Sequence, residues 1–137
     1  ARIIKSADII IWDESTMASG FALSAVDRLL KEIMKNRKPF GGKVILLGGD
    51  FRQTLPVVPH GERTTIVESS IKFSALWSNF EMLSLKNNVR SIDSQFSSWL
   101  LKVGTGDLPK GLPDDTIQIP SEMISANIIT DTFGEQL

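Results

Sequence analysis

Two short apolar runs, each followed by acidic residues, constrain the fold of this chain more than any other feature. Residues 7–12 are mostly β-branched or aromatic and lead into Asp13-Glu14, and residues 43–47 lead into Gly48-Gly49-Asp50. Continuous apolar runs of this length predict strands that are buried on both faces, as in a parallel sheet. A helical pattern separates them, so the sequence predicts an α/β fold with a mostly parallel sheet and flanking helices.

The helix between the two runs has the clearest periodicity. Its apolar residues recur at helical spacing, and its charged residues, Asp27 among them, are predicted on the opposite face. Ser19 is a suitable N-cap, and Pro39 predicts that the helix has ended before it. A second helix is predicted from Asp93 to Gly104.

Weaker patterns cover the remaining segments. Residues 62–69 and 74–80 are predicted as short helices, and residues 82–85 as a third strand. We expect one partial domain over residues 1–137, with residues 105–137 largely in loop.

Composition excludes several classes of protein. Apolar residues make up 42% and charged residues 23% of the 137 residues, which is typical of globular domains and not of disordered or collagen-like chains. The absence of cysteine excludes disulfides and thiolate zinc sites. No apolar run is long enough to span a bilayer, so no membrane partner is expected. The net charge of −1 does not by itself indicate a nucleic-acid partner.

The polar residues after the strands form the candidate site. Because ligands of open parallel sheets bind at the carboxyl ends of strands, Asp13, Glu14 and Asp50 are expected along one rim. An Asp there can hold Mg²⁺ against nucleotide phosphates, and a neighbouring Glu can orient or deprotonate water. The alternative is an ordinary polar strand end, since Asp-Glu is a common pair.

Two further residues are candidates for phosphate contacts. Gln53 ends the stretch Gly48-Gly49-Asp50-Phe51-Arg52-Gln53, and its amide can hydrogen-bond a phosphate oxygen and a water. Arg90 follows the predicted third strand and could stabilise charge on a transferring phosphoryl group. The alternatives are a solvated Gln in a strand exit and an exposed Arg in a loop. The phosphate-cradling pattern Gly-x-x-x-x-Gly-Lys-Ser/Thr does not occur.

Three motifs in this order resemble the Pif family of superfamily-one DNA helicases. They are residues 9–17 (IIIWDESTM), 39–58 (PFGGKVILLGGDFRQTLPVV) and 85–90 (LKNNVR). The Trp before Asp-Glu and the Pro-Phe-Gly-Gly-Lys stretch are especially similar to the helicases of Helitron rolling-circle transposons. The resemblance extends from Ala7 to about Pro120.

The resemblance implies a role for each candidate residue. Asp13 would bind the Mg²⁺ that accompanies ATP, and Glu14 would act on the hydrolytic water. Gln53 would sense the γ-phosphate, and Arg90 would contact it across the site. Asp50 and Arg52 would hold the loop between them.

The resemblance also implies a fold and an activity. The fold would be part of a RecA-like P-loop NTPase domain that lacks its phosphate-cradling strand and helix, so the chain is interpreted as an internal fragment. The whole protein would use ATP to move 5′→3′ along single-stranded DNA and unwind duplexes, in repair, recombination and telomere maintenance or in transposition. It would be a nuclear or otherwise intracellular protein.

A second hypothesis is a catalytically inactive transposon remnant, or a non-catalytic module that binds DNA or protein. The presence of Asp13, Glu14, Gln53 and Arg90 together favours the helicase.

Overall fold

The computed structural model describes residues 1–109, 111 and 116–134, and it divides into two compact units, Ala1–Asn87 and Asn88–Leu137. The first unit contains five regular elements. They are α1 (Arg2–Ser6), β1 (Ile9–Trp12), α2 (Gly20–Met34), β2 (Val44–Leu47) and α3 (Arg63–Glu68). The predicted helix over residues 62–69 therefore exists, whereas residues 74–80 contain only a 3₁₀ turn at Trp77–Asn79.

The two strands are parallel and pair from Ile9 with Val44 to Trp12 with Leu47. Together with α2 as the crossover helix they confirm the predicted parallel α/β arrangement. The prediction that both faces of these strands are buried is wrong for the described residues. One face packs against the core, but the other, formed by Ile9, Ile11, Val44 and Leu46, is exposed. The reason is that the described helices cover only one face.

The core of this unit is built around α2. Leu23 and Leu30 are almost fully buried together with Phe40 and Ile71, and Trp12 and Trp77 are among the partly buried residues around them. As predicted, Ser19 caps the helix, and its hydroxyl accepts a hydrogen bond from the backbone N–H of Ala22 at 3.2 Å.

Asp27 does not lie on a solvated face as predicted, since its exposed fraction is only 5%. Its Oδ1 accepts a hydrogen bond from the backbone N–H of Phe40 at 2.7 Å, and its Oδ2 pairs with Lys31 at 2.6 Å. The carboxylate therefore joins α2 to the turn Pro39–Gly42. After this turn, the Lys43 ammonium donates to the carbonyls of Lys5, in the last turn of α1, and Ala7, the residue after α1, at 2.8 and 2.6 Å.

The predicted third strand over residues 82–85 is absent. These residues have no strand conformation, and Met82, Leu83 and Leu85 are 63%, 78% and 102% exposed. A strand needs a partner that satisfies its backbone, and the described residues provide none at this position.

The second unit contains α4 (Ser94–Thr105) and α5 (Ile128–Phe133). Asp93 is the N-cap of α4, as predicted. The helix ends at Gly106 and not at Gly104, because Gly106 adopts the left-handed conformation that terminates helices. The predicted loop over residues 105–137 falls partly outside the described residues; among the described ones, a 3₁₀ turn at Ser121–Met123 precedes α5.

Within the described part of the chain, no helix is both long and apolar enough to cross a membrane.

Candidate functional site

The segments that follow β1 and β2 are joined by hydrogen bonds. The backbone N–H of Gly48 donates to the carbonyl of Trp12 at 2.9 Å. In the other direction, the backbone N–H and the hydroxyl of Ser15 donate to the carbonyl of Gly48 at 2.8 and 2.9 Å. The parallel register thus places the Asp13-Glu14 pair and the Gly48-Gly49-Asp50 segment at the same edge of the sheet.

The two acidic residues after β1 are both exposed at this edge. Oδ1 of Asp13 accepts a hydrogen bond from the backbone N–H of Glu14 at 3.0 Å. Glu14 has a φ of 50° and a ψ of 33°, a left-handed conformation that is rare for residues with a Cβ. Such strained positions are concentrated at functional sites. The left-handed conformation of Glu14 changes the direction of the chain between β1 and the 3₁₀ turn Ser15–Met17. The first two residues of this turn are buried.

An ion pair holds the loop after β2. Oδ1 of Asp50 accepts hydrogen bonds from the Nε of Arg52 at 2.8 Å and from its backbone N–H at 3.0 Å, and Oδ2 accepts from Nη2 at 3.0 Å. The side-chain hydrogen bonds from Arg52 are the main reason that the pKa of Asp50 lies below its ordinary value of 3.8. The backbone N–H of Gln53 donates to the carbonyl of Asp50 at 3.1 Å, so the ion pair also fixes the start of Gln53.

Arg90 belongs to the second unit and is exposed. Its backbone N–H donates to Oδ1 of Asn88 at 2.9 Å, and Nδ2 of Asn88 donates to the hydroxyl of Ser97 at 3.1 Å. Ser97 is in the first turn of α4. The turn that carries Arg90 is therefore attached to this helix, and the predicted contact of its guanidinium with a phosphate stays a prediction.

The acidic residues of the site fit Mg²⁺ only when the ion arrives with phosphate. In the described residues, no group of three or more His, Cys, Asp or Glu side chains could hold a metal ion. Mg²⁺ is usually bound through one or two carboxylates together with substrate phosphates and water, and not by a dedicated protein cage. An exposed Asp13 with one oxygen occupied by the Glu14 N–H matches that requirement.

Thr16 lies between the two candidate segments and was not among the candidate residues of the sequence analysis. It is 2% exposed, and its hydroxyl has no hydrogen-bond partner among the described residues. It lies against Gly49, where an added Cβ atom would be 2.8 Å from Cγ2 of Thr16. The sequence alone does not show that Thr16 differs from Ser15. The difference is that the Ser15 hydroxyl donates to the Gly48 carbonyl and the Thr16 hydroxyl does not.

A protein-family model described as PIF1-like helicase matches residues 1–112. The ATP-dependent DNA helicase PIF1 of Candida albicans is 31% identical over 116 residues, which cover 79% of this chain and 12% of that protein. The ATP-dependent DNA helicase Pif1 of Psychrobacter is 37% identical over 59 residues, which cover 43% of this chain and 9% of that protein. The chain spans about a tenth of the length of these curated relatives.

Solved structures show the same fold. The Pif1 helicase from Bacteroides in complex with ADP-AlF3 and single-stranded DNA superposes with a TM-score of 0.69 at 21% identity, covering 99% of this chain and 37% of that one. The Pif1 helicase from Candida albicans gives a TM-score of 0.61 at 23% identity, covering 88% of this chain and 28% of that one. The RecA-like α/β fold that the resemblance implied is thereby confirmed.

Proposed function

This chain belongs to the PIF1-like helicase family, and we propose that it contributes part of the motor of an ATP-dependent DNA helicase. The whole protein would move 5′→3′ along single-stranded DNA and separate duplexes. The observation that carries this proposal is the hydrogen-bonded edge on which Asp13-Glu14 and Gly48-Gly49-Asp50 meet. The Bacteroides relative whose structure holds ADP-AlF3 and single-stranded DNA supports it.

The proposal assigns one role to each residue of the site. The carboxylate of Asp13 would hold Mg²⁺, which would supply positive charge beside the phosphates. The carboxylate of Glu14 orients the attacking water and takes its proton. The amide of Gln53 hydrogen-bonds the γ-phosphate, and the Asp50–Arg52 pair keeps the Gln53 loop in place. The guanidinium of Arg90 stabilises charge that develops on the transferred phosphoryl group.

We propose that another part of the complete protein supplies the phosphate cradle, since these 137 residues contain no Gly-x-x-x-x-Gly-Lys-Ser/Thr pattern. We therefore assign the chain to the latter part of a RecA-like motor domain. The isolated 137 residues are expected not to hydrolyse ATP.

Repair, recombination and telomere maintenance, or transposition, are the processes we propose for the whole protein, with the nucleus as its compartment. Fungal relatives named as ATP-dependent DNA helicases support a role on DNA, which these processes share. Fluorescence microscopy of the tagged complete protein tests the compartment.

The test uses the complete open reading frame that contains these residues. Purified protein is expected to hydrolyse ATP with Mg²⁺ and to be stimulated by single-stranded DNA. Glu14→Gln should lower kcat by about 10²–10⁴-fold, the usual contribution of a positioned general base. Glu62→Gln, an exposed acidic residue that precedes α3, is the matched control and should leave kcat unchanged.

The outcome also decides between the helicase and the alternative of an inactive remnant or a non-catalytic module. A well-folded complete protein with no ATP turnover on single-stranded DNA would support the alternative. Turnover that Glu14→Gln leaves intact would contradict the role of Glu14.

A further inference from the structure

The hydroxyl of Thr16 is a buried polar group whose hydrogen-bonding capacity is unused. Thr16 is 2% exposed, and Oγ1 has no partner among the described residues. Most buried polar side-chain atoms in proteins have a hydrogen-bond partner, because an unmade bond carries the full cost of desolvation. The neighbouring Ser15 shows the usual situation, since its hydroxyl donates to the Gly48 carbonyl at 2.9 Å.

The position of Thr16 connects the two motifs of the proposed nucleotide site. It lies two residues after Glu14 in the 3₁₀ turn Ser15–Met17, and it packs against Gly49. A Cβ atom placed on Gly49 would be 2.8 Å from Cγ2, 3.1 Å from Oγ1 and 3.2 Å from the backbone nitrogen of Thr16. The backbone of Gly49 therefore approaches Thr16 more closely than any residue with a side chain could.

We propose that Thr16 is a positioning residue that couples the Glu14 turn to the Gly49–Gln53 loop, and that its hydroxyl donates a hydrogen bond to a backbone carbonyl of this loop when nucleotide is bound. The inference rests on the proposed function. Gly49, which follows the hydrogen-bonded Gly48, gives the loop the backbone freedom to shift, and Gln53 is the residue through which the γ-phosphate would move it. A hydrogen bond that forms in only one of two loop positions biases the equilibrium between them. Thr16 would thus favour the position in which Gln53 and Glu14 act together.

The test compares Thr16→Val with Thr16→Ser in the complete protein. Valine preserves the shape of threonine without its hydroxyl, whereas serine preserves the hydroxyl. Thr16→Val should lower the kcat of ATP hydrolysis on single-stranded DNA by about tenfold, which is the effect of losing one buried hydrogen bond on an equilibrium. KM for ATP should stay at the wild-type value, and the thermal midpoint should not fall, because removing a buried hydroxyl without a partner removes only its cost of desolvation. Thr16→Ser should restore kcat.

Thr64→Val is the matched control, since it makes the same change at an exposed position of α3 and should leave kcat unaltered. A wild-type kcat in Thr16→Val, in a protein that Glu14→Gln inactivates, overturns the inference and leaves the proposed function standing. A lowered thermal midpoint, or a failure to fold, in Thr16→Val shows that the hydroxyl is already bonded at rest and also overturns it. If the complete wild-type protein has no ATP turnover, the proposed function and this inference fail together.

Discussion

Among the glycines of the first unit, Gly41 would bring an added Cβ atom into the shortest contact. Its φ is 64°, and a Cβ atom placed on it would be 2.5 Å from the carbonyl oxygen of Leu30 in α2. Both the backbone conformation and the available space therefore exclude a side chain. Gly41→Ala should reduce the free energy of unfolding by about 2–5 kcal/mol, the sum of left-handed strain and overpacking. Urea titration followed by tryptophan fluorescence, to which Trp12 and Trp77 beside the core contribute, measures this loss.

Gly42→Ala is the control for this prediction because it changes the next residue of the same turn. Its φ is 80°, so it carries similar strain, but its added Cβ would meet only the end of the Asn36 side chain, at 2.9 Å. That side chain can move, and the loss should be about 1–2 kcal/mol. Equal losses for the two variants would show that backbone strain, and not the contact with α2, decides the requirement for glycine.

The Asp50–Arg52 pair makes the loop that carries Gln53 sensitive to acid. The Arg52 hydrogen bonds lower the pKa of Asp50 in the folded state below 3.8, so the pair stabilises the folded loop above that pH. The stabilisation is lost as the pH falls through the lowered pKa. Arg52→Gln should bring the pKa of Asp50 back toward 3.8, as measured by carboxyl-carbon NMR titration. An unchanged titration curve in this variant would show that the ion pair does not persist in solution.

At the scale of elements, the sequence predicted the helices and strands that have a local signal, such as apolar periodicity or a capping residue. β1, α2, β2 and α4 are found where apolar periodicity and the caps Ser19 and Asp93 indicated them. The segment over residues 82–85 has similar apolar content, but a strand depends on a partner that its own sequence does not specify. The prediction that Asp27 lies on a solvated face is wrong for a related reason. Its carboxylate accepts a hydrogen bond from the backbone N–H of Phe40, which is 13 residues away in the sequence.

In the candidate site, too, the sequence predicted the positions that follow from strand pairing but not the contacts that depend on a turn. Parallel pairing implies that Asp13 and Gly48 lie at one edge, and the hydrogen bonds between Ser15 and Gly48 confirm it. The contact between Thr16 and Gly49 was not predictable, because it depends on the left-handed turn at Glu14. The catalytic roles of Glu14, Gln53 and Arg90 stay predictions.

The N-terminus of α4 offers a test of how an element supports the Arg90 turn. Oδ1 of Asp93 accepts hydrogen bonds from the backbone N–H groups of Gln95 at 2.8 Å and Phe96 at 3.0 Å. Asp93→Ala should destabilise this end of the helix by about 1 kcal/mol, and hydrogen exchange at these two amides should become faster by about fivefold. Asp93→Asn keeps the acceptor oxygen and should exchange nearly as slowly as wild type. Similar rates in all three proteins would show that the cap contributes nothing.

At the scale of the whole molecule, the uncovered face of the sheet determines how the isolated chain behaves. Ile9, Ile11, Val44 and Leu46 are 46%, 67%, 60% and 44% exposed, and the strand register places them side by side. A contiguous apolar surface of this kind promotes association. We expect the isolated 137-residue polypeptide to self-associate at micromolar concentration, as measured by sedimentation velocity. Replacing Ile11 and Leu46 together by lysine should shift the population to monomer.

The control for this prediction is the double variant Leu83→Lys with Leu85→Lys, which adds the same charge outside the sheet face. These leucines are 78% and 102% exposed, but they belong to an irregular segment and not to a paired surface. The two double variants add the same charge, so a general gain in solubility would affect both equally. If association depends on the sheet, only the Ile11 and Leu46 pair reduces it, because each new ammonium must then be desolvated when two faces meet. A wild-type chain that is monomeric and unfolds in one sharp, reversible thermal transition would contradict the prediction.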